Sequence, residues 1–345
     1  MLPFVLKRVI WAGMLLLVIS LITFVIFFVL PAQPVNQGAL NTDDIGIRDA
    51  YEFSGPIYQE YAQFVRGIFL EGSLGRSLST RDEITEILWR AAPVTASLVI
   101  GGMLLVLLLA VPLGILSALR PRSLFDRSAM LFVFFGVSAH PAWIGLVLAY
   151  FLGFRFQVMP LSGYCDFFTP STDCGGPVQW TYHLLLPWFT FAILFAAMYA
   201  RMIRASVLEG LGEDYVRTAR AKGLPERRVV RSHVLRNALL PVATMVGLDA
   251  GVAFGGVIFV ERVFGLPGLG GVMLQGLTRR DPPIVLGVVV FVAMSIVLFN
   301  LLVDLVYTAL DPRIRADGRE RGLRERGRTS PEPAPVVVGT APTSP

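Results

Sequence analysis

The side chains that could support chemistry are few in this chain, and their spacing is not that of an enzyme site. Its three histidines, His140, His183 and His233, are far apart in the sequence and lack metal-ligand spacing. The chain has no Gly-x-x-x-x-Gly-Lys-Ser/Thr run, no Gly-x-Ser-x-Gly elbow and no His-Glu-x-x-His helix. We therefore expect no catalytic residue, no metal site and no cofactor in this chain.

Cysteine chemistry is confined to Cys165 and Cys174, which share one loop between two apolar segments. In an oxidising compartment such a pair can close a small loop, which stabilises a fold by about 2–3 kcal/mol. Metal binding is the alternative, but two thiols with no histidine between them make an incomplete site. We expect a disulfide.

The composition is that of an integral membrane protein. The chain is 54% hydrophobic and 16% charged, whereas soluble domains carry about 25% charged residues. Its apolar residues form runs of the length that crosses a bilayer, about 20 residues each. The net charge of +5 reflects basic residues held on one side of the membrane and does not indicate a nucleic-acid partner.

Six apolar runs predict an all-α protein with six transmembrane helices. The first run is longer than the apolar region of a signal peptide, about 7–15 residues, so we expect it to be retained as a span. The expected spans are 9–30, 94–119, 128–154, 183–203, 239–260 and 284–310.

The basic residues that flank these spans predict the orientation. They lie before the first span, between the second and third, between the fourth and fifth, and after the sixth. With six spans these segments share one face, so both termini are expected to be cytoplasmic. The chain then divides into 1–30 (N-terminus and first span), 31–93 (external helical cap), 94–312 (five-helix core with the cytoplasmic loop 204–238) and 313–345 (disordered tail).

Two external segments carry local signals. In the cap, apolar residues recur at helical spacing between Ile57 and Phe69, and Thr80 precedes Glu83 with the spacing of a capping box that would start a second short helix. The cap could dock an external partner or only shield the span ends. The glycine-rich run 265–271 lacks the strand that a dinucleotide fingerprint needs, so a tight turn or re-entrant segment is expected.

Polar residues within the spans are candidates for a pathway through the membrane. Asp249 lies midway along the fifth run, where an ionisable residue is costly and often functional. It could line a pathway or make an internal hydrogen bond to a neighbouring span. His140 precedes Pro141, so it is expected at a helix break, and it is the second pathway candidate.

The arginine-rich loop between the fourth and fifth spans predicts helix, break, helix. A first helix of about 213–222 ends at Gly223, which suits the left-handed position after a helix. Pro225 suits the first turn of a second helix that reaches about Asn237, and Glu226 favours its positive end. Such a loop could dock a partner protein, or it could lie on the bilayer with its arginines on lipid.

This loop resembles that of the permease subunits of ABC importers. Their signature is Glu-Ala-Ala, three residues, Gly, nine residues, Ile, one residue, Leu-Pro. Ala219, Gly223 and Leu235 occupy matching positions. The departures are Arg217 for Glu, Thr218 for the first Ala, His233 for Ile and Arg236 for Pro.

The resemblance is closer to the peptide and nickel branch of these permeases. The runs 217–223, 236–241, 74–78, 264–270 and 300–313 all look like that branch, and together the likeness covers most of residues 1–315. The long first external segment resembles the B-type subunit of dipeptide and oligopeptide importers. Nickel or another small cationic solute is the alternative cargo, and a stand-alone channel or secondary carrier is the alternative class.

The resemblance implies a type I ABC importer permease fold in a bacterial inner membrane. It implies three kinds of partner: a second homologous permease, two cytoplasmic ATPases that hold ATP and magnesium, and an external substrate-binding protein. It also implies that the loop transmits the ATPase movement. The candidate coupling residues are Arg217, Ala219, Lys222, Gly223, Leu224, Pro225 and Leu235.

Overall fold

The computed structural model describes residues 2–29, 56–168 and 174–310, and within them the chain is helical without a named strand. The predicted disordered tail 313–345 and much of the predicted cap, residues 31–55, lie outside the described residues. In chain order the helices are α1 (Leu2–Phe24), α2 (Ile57–Arg66), α3 (Ile84–Leu119), α4 (Leu124–Ser138), α5 (Pro141–Arg155), α6 (Pro177–Gly212), α7 (Asp214–Ala221), α8 (Glu226–Ala238), α9 (Leu240–Gly256), α10 (Ile258–Val263), α11 (Leu269–Thr278) and α12 (Pro282–Leu310).

The apolar helices agree with a membrane-spanning bundle. Four described segments are each long and apolar enough to cross a bilayer: Leu6–Val29, α3, α6 and the Pro282–Leu301 part of α12. The count rises to six if two bent pairs are each one span, which are α4 with α5 and α8 with α9. The bends are 110° and 43°.

The second span begins earlier than the sequence predicted. α3 starts at Ile84 and passes through Pro93 without a break, so residues 84–93 are not a separate cap helix. The predicted capping box is also wrong, because Glu83 is the N-cap and no side chain caps it. Ile84 and Leu88 are fully buried beside α12, so tertiary burial extends the helix through the predicted boundary.

The third span, expected over 128–154 with a break at His140, is broken at that position. α4 ends at Ser138 and α5 starts at Pro141, with His140 as the N-cap between them. His140 Nδ1 accepts a hydrogen bond from the Ala142 N–H at 3.2 Å. Because proline lacks an N–H and its ring obstructs the preceding turn, the helix restarts there. The break expected at His140 is present.

α3 and α6 form the centre of the bundle. α6 is longer than the predicted fourth span and packs along α3, while α4 packs against its other side. Small residues allow the close approach: a Cβ on Gly114 of α3 would lie 2.8 Å from the Ala200 carbonyl oxygen of α6. Close backbone contact through small residues is the usual way that membrane helices associate.

The buried apolar residues form two clusters. The larger surrounds α3 and α6 and extends to α7, α8 and α9. The smaller joins α1, α2 and the start of α3 to α11 and α12. The loop α7–α8 is therefore packed onto the same core as the central spans.

Candidate functional site

The inner face of α7 is packed against α8. Val216 is fully buried and Ala219 is 5% exposed. On α8, Val229 and Val234 are fully buried in the same cluster. The small side chain at Ala219 lets the two short helices approach, so the loop is a folded element whose apolar side belongs to the large core cluster.

The turn between α7 and α8 depends on Gly223. Its φ is +73°, the left-handed region that favours glycine, and its N–H donates to the Arg220 carbonyl at 2.9 Å. A Cβ at this position would meet nothing within 4 Å, so backbone conformation and not space requires glycine. Pro225 is the N-cap of α8 and not its first residue, one position earlier than expected.

An ion pair spans this turn. Arg220 at the end of α7 donates from Nε to Glu226 Oε1 at 2.7 Å and from Nη2 to Oε2 at 3.5 Å. Both groups are partly exposed, and exposed pairs contribute only about 0–1 kcal/mol. The pair therefore fixes the direction in which α8 leaves the turn more than it stabilises the fold. Sequence reasoning had assigned Glu226 to the helix dipole alone.

α8 is seated on the end of α6. A Cβ on Gly210 of α6 would lie 3.2 Å from Val234 Cγ1, so the two helices touch there. Leu235 is half-buried and packs on the core cluster. A displacement of α8 would therefore press directly on α6.

The seven candidate coupling residues divide by the side they face. Ala219 is buried, and Leu224 and Leu235 are half-buried against the core. The outward group is exposed and consists of Arg217, Lys222, Gly223 and Pro225. The loop thus combines an apolar inner side, which fixes its shape, with an exposed basic outer side.

A buried ion pair that sequence reasoning missed lies at the same end of the bundle. Asp126 of α4 is 4% exposed and accepts from Arg204 Nε at 2.7 Å and Nη2 at 2.9 Å. It also accepts from the Ser117 hydroxyl of α3. The pair joins three helices beside the loop. The available signal was a single acid, Asp126, among the arginines between the second and third spans.

The two pathway candidates lie apart in the chain and have different surroundings. Asp249 is half-buried, and its Oδ2 accepts from the Tyr199 hydroxyl of α6 at 2.8 Å. This is the internal hydrogen bond that sequence analysis gave as one alternative. His140 is exposed, and its ring packs edge-on against Phe259, with centroids 4.9 Å apart. A pathway role for either residue stays a prediction.

The structure pairs Cys165 with Cys174, whose Cα atoms are 5.3 Å apart. It also brings in a histidine that the sequence spacing had not indicated. His183, on α6, places Nδ1 3.2 Å from Cys165 Sγ, and the three possible ligand atoms lie within 4.8 Å of one another. Sulfurs bonded to each other offer no thiolate to a metal, so the arrangement favours the disulfide.

The fold and the loop define a class: an all-α membrane subunit with a packed helical element between its fourth and fifth spans. Comparison with known families agrees. Residues 110–316 match the model of the binding-protein-dependent transport system inner membrane component, and residues 1–99 match the model of its N-terminal region. The chain belongs to this family of inner-membrane transport components.

Curated relatives match over nearly their whole length. The dipeptide transport system permease protein DppB of Escherichia coli K12 is 34% identical over 337 residues, which cover 91% of this chain and 99% of the relative. The di/tripeptide permease DppB of Pseudomonas aeruginosa is 35% identical, covering 86% of this chain and 94% of the relative. The probable D,D-dipeptide permease DdpB of E. coli K12 is 36% identical, covering 92% and 98%.

Proposed function

We propose that this chain forms half of the translocation pathway of an ATP-driven importer for dipeptides or oligopeptides. The observation that carries the proposal is the similarity to permeases named for dipeptides, di/tripeptides and D,D-dipeptides over 86–92% of this chain. These names favour peptides over nickel or another small cation. The family itself supports a binding-protein-dependent transport system over a stand-alone channel or carrier.

The proposed partners are a second homologous permease, two ATPases that bind ATP and magnesium, and an external binding protein that delivers the peptide. The chain has no phosphate-binding loop of its own. ATP hydrolysis therefore belongs to the ATPases. In the proposed orientation both termini and the α7–α8 loop face the cytoplasm, because the basic flanks lie on that side.

In this proposal α7 and α8 receive the ATPase movement. The exposed residues Arg217, Lys222 and Pro225 contact the ATPase, and the left-handed turn at Gly223 gives the loop its bend. The buried contacts of Ala219 and Leu235 carry the displacement to α6 and, across the 43° bend, to α9. A loop with a packed interior can transmit a push that a flexible loop would absorb.

Reconstitution tests the cargo directly. The full complex, co-expressed with its ATPases, partner permease and binding protein, is placed in proteoliposomes. ATP-dependent uptake is measured with a radiolabelled dipeptide and with Ni²⁺ in parallel. The proposal predicts accumulation of the dipeptide only. Accumulation of Ni²⁺ without the dipeptide, or transport by this chain alone without ATP, contradicts it.

A further inference from the structure

Two buried carboxylates flank the short apolar helix α11, which lies between the fifth and sixth spans. Glu261 is fully buried and precedes α11, while Asp281 is 1% exposed and follows it. The hydrogen bonds that the structure gives these carboxylates come from hydroxyl and backbone N–H groups. Their positions hold the two ends of α11 to different parts of the molecule.

The N-terminal end of α11 is held to α3. Glu261 Oε1 accepts from the Thr95 hydroxyl at 2.6 Å, and Oε2 accepts from the Gly270 N–H at 2.7 Å. The Leu269 N–H completes the ring by donating to Thr95 Oγ1 at 2.9 Å. A Cβ on Gly268 would collide with the Glu261 carboxylate, and one on Gly270 would lie 2.8 Å from Oε2. The absence of side chains at Gly268 and Gly270 therefore lets the backbone approach the Glu261 carboxylate closely.

The C-terminal end of α11 is held to the turn that precedes α3. Asp281 Oδ2 accepts from the Ser77 hydroxyl at 2.6 Å, and from the Ser79 N–H and hydroxyl, both at 2.9 Å. The Asp281 N–H donates to the Gly276 carbonyl of α11 at 2.8 Å. Gly276 in turn packs on Ile284 of α12, since a Cβ at 276 would lie 3.2 Å from Ile284 Cβ.

α11 also forms one wall of an apolar cavity. The cavity has a volume of about 250 Å³. Leu269, Gly270 and Met273 of α11 line it, together with the end of α9, the start of α10 and the middle of α12. The residue that donates to Glu261, Gly270, is therefore itself a cavity-lining residue. The N-terminal end of α11 therefore borders this space directly.

The two ends of α11 differ in their surroundings. Burial raises the pKa of Glu261 even though Thr95 and two backbone N–H groups oppose the shift. Burial alone would raise the pKa of Asp281 as well, but the hydrogen bonds from Ser77 and Ser79 lower it overall. The residues of α11 that line the cavity, Leu269, Gly270 and Met273, lie in its N-terminal half, so separation of the Thr95–Glu261 contact would free the end of α11 that borders the cavity.

We infer that α11 is a gate over the apolar cavity, latched to α3 through Glu261 and Thr95 and hinged at its C-terminal end through Asp281. Glu261 and Thr95 are then positioning residues for transport. The inference rests on the proposed function, because an external gate has a role only in a translocating subunit. It requires the Thr95–Glu261–Gly270 contact to separate in each transport cycle.

A reversible disulfide crosslink at each end of α11 tests whether that end has to move during transport. Thr95→Cys with Leu269→Cys covalently closes the latch in the full complex. Gly276→Cys with Ile284→Cys makes the matched crosslink at the hinge. ATP-dependent dipeptide uptake is measured after oxidation and again after reduction, with the unsubstituted complex treated in the same way to account for the native disulfide.

The inference predicts that uptake by the latch variant is at least tenfold lower when its cysteine pair is oxidised than when the same variant is reduced, and that oxidation changes uptake by the hinge variant little. Unchanged uptake with the latch crosslinked overturns the gate, and equal block by both crosslinks overturns the hinge. ATP-dependent dipeptide uptake by the unsubstituted complex, which keeps Thr95, shows separately that the proposed function holds.

A second measurement does not depend on the crosslinked pair. Met273→Cys places a free thiol on the cavity wall, and its labelling by an external membrane-impermeant maleimide is timed in intact complex. Adding Thr95→Val removes the latch hydroxyl and is expected to speed labelling several-fold. Thr181→Val, which removes a hydroxyl bonded within α6, is the control and should leave the rate unchanged. Equal rates in all three backgrounds overturn the inference.

Discussion

At the scale of single residues, three acids that are buried or half-buried in the described structure each have a specific hydrogen-bond partner. Asp126 has Arg204, Asp249 has Tyr199, and Glu261 has Thr95. A buried polar group without a partner costs about 1–3 kcal/mol, more if it is charged. The partner of each such residue therefore says more about its role than its position along a span does.

Asp281 gives a prediction at this scale. Asp281→Asn should destabilise the complex at neutral pH by about 1–3 kcal/mol, because hydrogen bonds to a charged acceptor are lost. Since the folded state lowers the pKa of Asp281, its contribution is present above the ordinary carboxyl range and is lost as pH falls through the lowered value. Thermal unfolding in detergent at pH 7 and near pH 3 measures both effects.

The control for this prediction is Asp214→Asn, because the Asp214 side chain is 94% exposed. It should leave the unfolding temperature unchanged at either pH. The difference in unfolding temperature between the Asp281→Asn complex and the unsubstituted complex should be smaller at the lower pH. A difference in unfolding temperature of the same size at both pH values contradicts the stabilising role of the ionised Asp281 carboxylate.

At the scale of elements, local signals in the sequence were sufficient for α7, the turn at Gly223 and α8. They were also sufficient for the break at His140. Each depends on neighbours within a few residues, such as a left-handed glycine or a proline at a helix start. The sequence did not predict that α3 starts at Ile84, because burial of Ile84 and Leu88 against α12 determines this start. No pattern in the neighbouring residues indicates that long-range contact.

The latch and the hinge of α11 were missed for the same reason. Thr95 and Glu261 are 166 residues apart, and Ser77 and Asp281 are 204 apart. The sequence did single out the glycine-rich run and the Leu74–Leu78 motif, but it gave no indication of what they contact. Long-range pairs of this kind are visible only once the helices have been packed.

The packing of α7 on α8 gives a prediction at this scale. Ala219→Leu should force the two helices apart, since overpacking a closed interior costs about 1–3 kcal/mol. Ala221→Leu on the same helix is exposed and should be tolerated. The amount of ATPase that co-purifies with a tagged chain measures the effect: it should fall several-fold for Ala219→Leu only. Equal recovery with both variants contradicts the proposed role of the inner face.

At the scale of the whole molecule, one helical bundle joins the α7–α8 loop, which is proposed to be cytoplasmic, to α11, which is proposed to be an external gate. The large core cluster extends from Val216 in the loop to Phe264 and Leu266 beside the latch. Interiors packed to this degree transmit displacement instead of absorbing it. A push on α7 can therefore reach α11 through α6, α9 and α10.

In the proposed mechanism, the bend of the α7–α8 loop couples ATP hydrolysis to transport. Gly223→Val tests it most directly, because a β-branched residue is strained at a φ of +73°. Gly212→Val is the matched control, since a Cβ there meets nothing within 4 Å and its φ is not positive.

The measurement is the ratio of peptide transported to ATP hydrolysed in proteoliposomes that contain the full complex. Gly223→Val is expected to lower this ratio at least tenfold while the complex still assembles, and Gly212→Val is expected to leave it unchanged. An assembled Gly223→Val complex with the ratio of the unsubstituted protein would contradict the coupling role of the loop.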